Sequence, residues 1–226
     1  CRYPRRTCCS ANSGGTVLSS KAAAQPSPID GRRLRSARTR QLIMEAYLAL
    51  LNESPKLPMP TAVQIAERAG YSVRSIFERF PDLNALRVAT ADYSLAQAAA
   101  LAPPRRVDGN RQTRIRSHVE TRAGTCERQV ALWRALLFSV DETDELKERV
   151  RIGRERTIER FEIMYRPELS TVAGTERRYL LIALEALTDF ESWARMREFF
   201  ELSFDDACAV WITAIDRMLP PTPKTG

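Results

Sequence analysis

Apolar residues recur at helical spacing in nearly every patterned segment of the chain. From Ser36 to Asn52, Ile43, Ala46 and Leu50 fall at i, i+3 and i+7, and Leu42 and Leu51 widen the stripe. This predicts an amphipathic helix, stopped by Ser54-Pro55 and a loop holding Pro58 and Pro60. A second, short helix starts at Thr61, where Thr61 and Gln64 have the spacing of a capping box, and stops at Gly70. Tyr71-Ser72 predicts a tight turn, with Ser72 capping a third helix that runs to about Phe80 and is broken by Pro81. Asp82 is placed to cap a fourth helix reaching Leu101, which Pro103-Pro104 ends. Further helices are predicted near residues 111–124, 127–139, 142–166, 175–197 and 204–219. The last is capped by Ser203, has acidic residues in its first turn, and is stopped by Pro220-Pro221. No window alternates with period two between turn residues, so the expected fold class is all-α.

The same pattern divides the chain. Residues 1–31, rich in Ser, Ala, Gly, Pro and Arg without periodicity, read as a disordered basic tail. Residues 32–81 form a compact unit of three helices, residues 82–220 a larger helical domain, and residues 221–226 a short tail. Charge adds a direction: residues 1–60 hold ten Lys/Arg against three Asp/Glu, whereas the remainder is balanced. A neutral body with a basic leading segment points to nucleic acid or an anionic surface as partner. Five cysteines, three of them in the leading tail, lack C-x-x-C or paired-histidine spacing, so neither a disulfide framework nor a metal site is expected. No apolar run is long enough to cross a membrane and no signal-peptide core opens the chain, so a cytoplasmic protein is expected.

Within the three-helix unit, Ala66 is small where two helices must cross closely. Gly70, four residues on, suits a left-handed turn, and Ile76, six further, is placed to plug the core. Two short helices joined by a tight glycine turn make a helix-turn-helix. The run from Thr61 to Leu86, Thr-Ala-Val-Gln-Ile-Ala-Glu-Arg-Ala-Gly-Tyr-Ser-Val-Arg-Ser-Ile-Phe-Glu-Arg-Phe-Pro-Asp-Leu-Asn-Ala-Leu, resembles the DNA-binding head of the tetracycline-repressor (TetR) family over residues 36–90. That resemblance implies a third helix entering the major groove of double-stranded DNA. It also implies a C-terminal domain that binds a small effector and dimerises through its last two helices.

Carried over, the resemblance puts Ser72, Val73, Arg74 and Ser75 at the start of the recognition helix, with Arg74 able to pair bidentately with guanine. Thr61 is placed like a phosphate contact at a helix N-terminus. Two positions depart from the family pattern: Phe77 stands where a tyrosine is usual and Leu83 where a lysine is frequent, removing two expected phosphate contacts. Arg79 and the series Arg32, Arg33, Arg35, Arg38 and Arg40 can supply compensating charge, in part as an arm reaching a minor groove.

In the C-terminal domain, Leu146, Val150, Gly153, Thr157, Phe161 and Met164 share one helical face. With Trp133, Phe138 and Trp193 as aromatic walls, they read as a mostly apolar effector pocket in which Gly153 frees volume and Thr157 supplies a lone hydroxyl. Helices 175–197 and 204–219 carry more than one apolar stripe: Leu180, Ile182, Ala183, Leu184, Leu187 and Phe190 on one, Ala207, Val210, Trp211, Ala214, Ile215 and Met218 on the other. The surplus predicts a homodimer. Catalytic motifs are missing: there is no phosphate loop, nucleophile elbow or metal-ligand cluster, and the single histidine, His118, reads as solvent-facing or locally paired. No enzymatic activity and no cofactor are expected. Pairs such as Glu145 with Arg149 and Arg151 with Glu155 read as a solvated helix face. Two other classes stay open: an effector-free architectural DNA-binding protein, which needs no cavity, and a helical enzyme or lipid carrier, which needs no intact recognition helix.

Overall fold

A computed structural model describes residues 31–53, 59–101 and 107–223. Its first four helices are α1 (Gly31–Glu53), α2 (Ala62–Ala69), α3 (Val73–Phe77) and α4 (Leu83–Leu101). They are followed by α5 (Arg111–Phe138), α6 (Asp144–Met164), α7 (Arg166–Leu169), α8 (Gly174–Leu187), α9 (Phe190–Ala194) and α10 (Phe204–Met218). There is no strand among the described residues. The expected tail lies outside them except for Gly31, which already belongs to α1, so Arg33, Arg35 and Arg38 project from a helix and not from an extended arm.

The chain's own caps set most boundaries. Gln64 N–H donates to Thr61 Oγ1 at 3.3 Å and Thr61 N–H to Gln64 Oε1 at 2.9 Å, closing the capping box. Ser72, Asp82 and Ser203 accept from the amides of Ser75, Ala85 and Asp206 at 3.2, 2.8 and 3.1 Å. Each such cap contributes about 1 kcal/mol. Two expectations need correction. The helices expected near 111–124 and 127–139 are one continuous α5, because Ala123, Cys126 and their neighbours bury a face that outweighs the roughly 1 kcal/mol cost of Gly124. The helix expected over 175–197 is broken at Thr188-Asp189, where the Asp189 carboxylate accepts from Ser192 N–H at 2.6 Å and starts α9 afresh; a π-turn over Arg195–Phe199 follows.

Two apolar clusters share α5 and α6. One joins Ile43, Tyr47, Ile65, Ile76 and Phe80 of the leading helices to Leu86 of α4, Leu132 and Leu136 of α5 and Leu146 of α6. The other packs Ile115 and Val119 of α5 with Phe161, Tyr165, Trp193 and Trp211. The first cluster therefore continues without a break past residue 81. Polar ties reinforce it: the Asp92 carboxylate of α4 receives Arg149 of α6 at 2.8 and 3.1 Å, and Tyr93 donates to Glu45 at 2.7 Å. At the far end the buried Glu168 carboxylate pairs with buried Arg114 through bonds of 2.6 and 2.9 Å, and Arg111 donates to the carbonyls of Asp216, Leu219 and Pro220. Carbonyls at and just past the end of α10 thereby receive a cation, the arrangement a helix C-terminus favours.

Candidate nucleic-acid interface and internal cavity

The turn between α2 and α3 rests on Gly70, whose φ of 72° and ψ of 30° lie in the left-handed region. No heavy atom stands within 4 Å of where a side chain would begin, so backbone conformation and not space requires glycine there. Ala66 and Ile76 are buried beneath the turn. Outward from α3 stand Ser72, Arg74 and Phe77, the last 45% exposed. Val73 is half-buried against the leading core, which limits its reach, and Ser75 is half-buried with its hydroxyl 3.1 Å from that of Ser72.

Arg74 is the most accessible cation of α3, and its guanidinium pairs with exposed Glu78 at 3.0 Å. An exposed pair of this kind is worth about 0.2–1 kcal/mol, less than the ~1–3 kcal/mol of a bidentate guanine contact, so Glu78 holds the side chain without preventing base reading. Two other arginines serve the fold. Arg79 donates back to Ser75 O at 2.9 Å, and Arg40 donates to Arg79 O at 2.7 Å while lying over the Phe80 ring at 4.1 Å. Arg38 is exposed on α1, and Thr61 is exposed at the start of α2.

Between the two apolar clusters, α4, α5, α6, α8 and α9 line a half-open cavity of about 250 Å³. Trp133, Gly153 and Thr157 line it; Phe138, Phe161, Met164 and Trp193 do not. Phe138 lies two residues, about 200° of helix, past inward-facing Leu136 and is 61% exposed. Phe161 stands behind His118, edge to face at 5.1 Å, and Met164 follows it into the core. Trp193 turns the other way, donating from Nε1 to Glu127 at 2.6 Å and packing on Trp211 at 5.0 Å. Gly153 does not open the cavity: a Cβ there would meet the Trp133 ring at 3.2 Å, so glycine lets the indole lie against the α6 backbone. The Thr157 hydroxyl is committed to Gly153 O at 3.1 Å.

The polar lining is the larger departure from expectation. His118 is buried at the cavity wall, its Nδ1 2.7 Å from the Tyr165 hydroxyl. Burial, and then the nearby charges of Arg160 and Arg122, lower its pKa to about 3, so the ring is neutral at physiological pH. Arg122, Arg149, Arg154, Arg156 and Arg160 also line the space, with Glu185 and Asp189 the lining carboxylates.

No protein-family model and no curated protein sequence matches the chain. Among solved structures, a transcriptional regulator from Rhodococcus sp. Rha1 superposes with a TM-score of 0.64 at 14% identity, over 81% of this chain and 99% of that one. A protein assigned to the TetR family of transcriptional regulators, from Rhodococcus sp., gives 0.61 at 17% identity over 80% and 98%. NalD, the secondary repressor of the MexAB-OprM multidrug efflux pump of Pseudomonas aeruginosa, gives 0.54 at 18% identity over 85% and 100%. The fold is that of the TetR-type transcriptional regulators.

In this TetR-type fold the leading helices carry the residues the sequence singled out for DNA, and the body carries a cavity whose lining was only partly legible. Arg149, Gly153, Arg156 and Arg160 fall at i, i+4, i+7 and i+11, a spacing that could have placed those arginines on the cavity face. They were obscured because α6 is charged nearly all round. Arg151 does pair with Glu148 and Glu155 on the outer face, as a solvated helix would, but Arg149 turns to Asp92 and not to Glu145. No helix among the described residues is long and apolar enough to cross a membrane.

Proposed function

We propose that the chain is a DNA-binding transcriptional regulator that binds a pseudo-palindromic operator as a homodimer and is released from it by a small effector, working on DNA in the bacterial cytoplasm without an enzymatic step. The observation that carries the reading is the helix-turn-helix itself: a capped α2, a left-handed Gly70, and an α3 whose outward residues are Ser72, Arg74 and Phe77. The basic excess on the leading segment supports phosphate binding. Dimerisation is supported by the apolar residues that the last helices leave exposed opposite their buried face. On α8, Leu181 and Leu184 face the core while Tyr179 and Ile182 are exposed, and on α10, Trp211 and Ile215 face the core while Val210 is exposed. A cavity next to α4, the helix continuous with the DNA-reading cluster, favours an effector-responsive regulator over an effector-free architectural protein.

Binding to a duplex that the protein enriches from a random pool, compared with a scrambled duplex, tests the reading. Arg74→Ala is expected to cost about 1–3 kcal/mol on the enriched site, concentrated at one base position, with little change on the scrambled one. Equal loss on both would remove Arg74 from base reading.

A further inference from the structure

The geometry points to a small organic anion, headed by a carboxylate or phosphate and carrying a flat apolar body, as the occupant of the α4–α5–α6 cavity. This rests on the reading of the cavity as the effector site and names the class of effector. The mostly apolar ligand expected from sequence fits the apolar part of the lining. There Trp133 and Phe190 stack at 4.8 Å with 22° between their planes, next to Leu132, Leu136 and Leu95, a surface for a flat apolar body.

The lining is also cationic. Five arginines line the space against two carboxylates, and one of the two, Asp189, is occupied in capping α9. Arg149 is already matched by Asp92. Arg122 donates its Nε to Thr188 O at 2.9 Å and lies 4.7 Å over the Phe190 ring, with no carboxylate among the described residues paired to it. Neither Arg154 nor Arg156 has an ion-pair partner among the described residues. Clustered guanidinium groups repel one another, and low-dielectric walls strengthen the field they share. An anion would match them: guanidinium forks meet carboxylate or phosphate oxygens bidentately, with charge-assisted bonds about twice as strong as neutral ones. The buried neutral His118 adds a polar group to the lining without adding to its charge. A neutral apolar effector would leave Arg122, Arg154 and Arg156 without a counter-charge.

Calorimetric titration of the full chain with 2-naphthoate, 2-naphthyl phosphate and neutral 2-naphthamide tests the inference. At least one anion is expected to bind about tenfold or more tighter than the amide, consistent with a charge-assisted contact of about 1.5 kcal/mol or more. Whichever anion binds better identifies the head group. Arg156→Gln, on the exposed rim, is expected to remove about fivefold or more of that preference while leaving amide binding unchanged; Arg122→Gln, deeper, gives a second reading if the rim side chain is redundant. The inference is overturned if the amide binds as well as the anions, if none of the three binds, or if both variants keep the full preference. Adding the preferred anion to protein bound to its enriched duplex separates the two claims. Selective binding without loss of DNA affinity would leave the anion site standing and contradict its role as effector site.

Discussion

His118 shows what a single buried side chain contributes here. It is the only histidine of the chain, so no other imidazole masks its titration. In the folded protein, burial followed by the charges of Arg160 and Arg122 holds its pKa at about 3, whereas an unfolded histidine titrates near about 6.5. The native state therefore binds no proton in a range where the unfolded state does. Its contribution is complete above the unfolded value and is lost progressively as pH falls from about 6.5 toward 3. Urea unfolding is expected to show about 1 kcal/mol less stability at pH 5.5 than at pH 7, and His118→Gln is expected to flatten that slope. An unchanged slope in the variant would mean that the ring takes up protons in the folded protein. Sequence could not place this residue: the alternation of His118 with Arg114 and Arg122 along α5 reads equally as a solvated face. Only long-range partners distinguish the two: Arg114 pairs with Glu168, fifty-four residues on, and His118 with Tyr165.

At the scale of the elements, the helices were legible because local signals and tertiary packing agree. Thr61, Ser72, Asp82 and Ser203 each cap the helix they precede, and Gly70 takes the one conformation that suits it. Legibility failed where burial outweighed a local breaker, as at Gly124, or where a cap was hidden in an apolar run, as at Asp189. The cavity failed in a more specific way. Its helix was found, but of the face expected there only Gly153 and Thr157 line the cavity, and Gly153 was taken as empty volume when it is the seat of the Trp133 indole. A leucine at 153 must therefore displace an aromatic ring stacked on Phe190 and cannot settle into free space. Gly153→Leu is expected to cost about 1–3 kcal/mol by overpacking and to weaken binding in the cavity. A urea midpoint equal to that of the unmodified protein would show that the indole has room to move.

The described residues form an α4–α6 frame that joins the helix-turn-helix to α8 and α10, with a cavity lined in part by arginines among them. Burying the outer faces of α8 and α10 against a second copy would set two heads on a two-fold axis. Light scattering at micromolar concentration is expected to give a dimer, and Ile182→Asp combined with Val210→Asp to give a folded monomer by the same measurement and by circular dichroism; a monomeric unmodified protein would contradict the two-fold arrangement. The frame also suits transmission, since Arg149 lines the cavity and holds Asp92 of α4, the helix that shares its core with the head. Sequence-specific DNA recognition by a two-headed protein is open to selection from a random duplex pool. The expected product is a two-fold motif whose half-sites are centred about 34–36 Å apart, or a near multiple of that spacing. A pool that shows no enriched half-site after repeated rounds would contradict it.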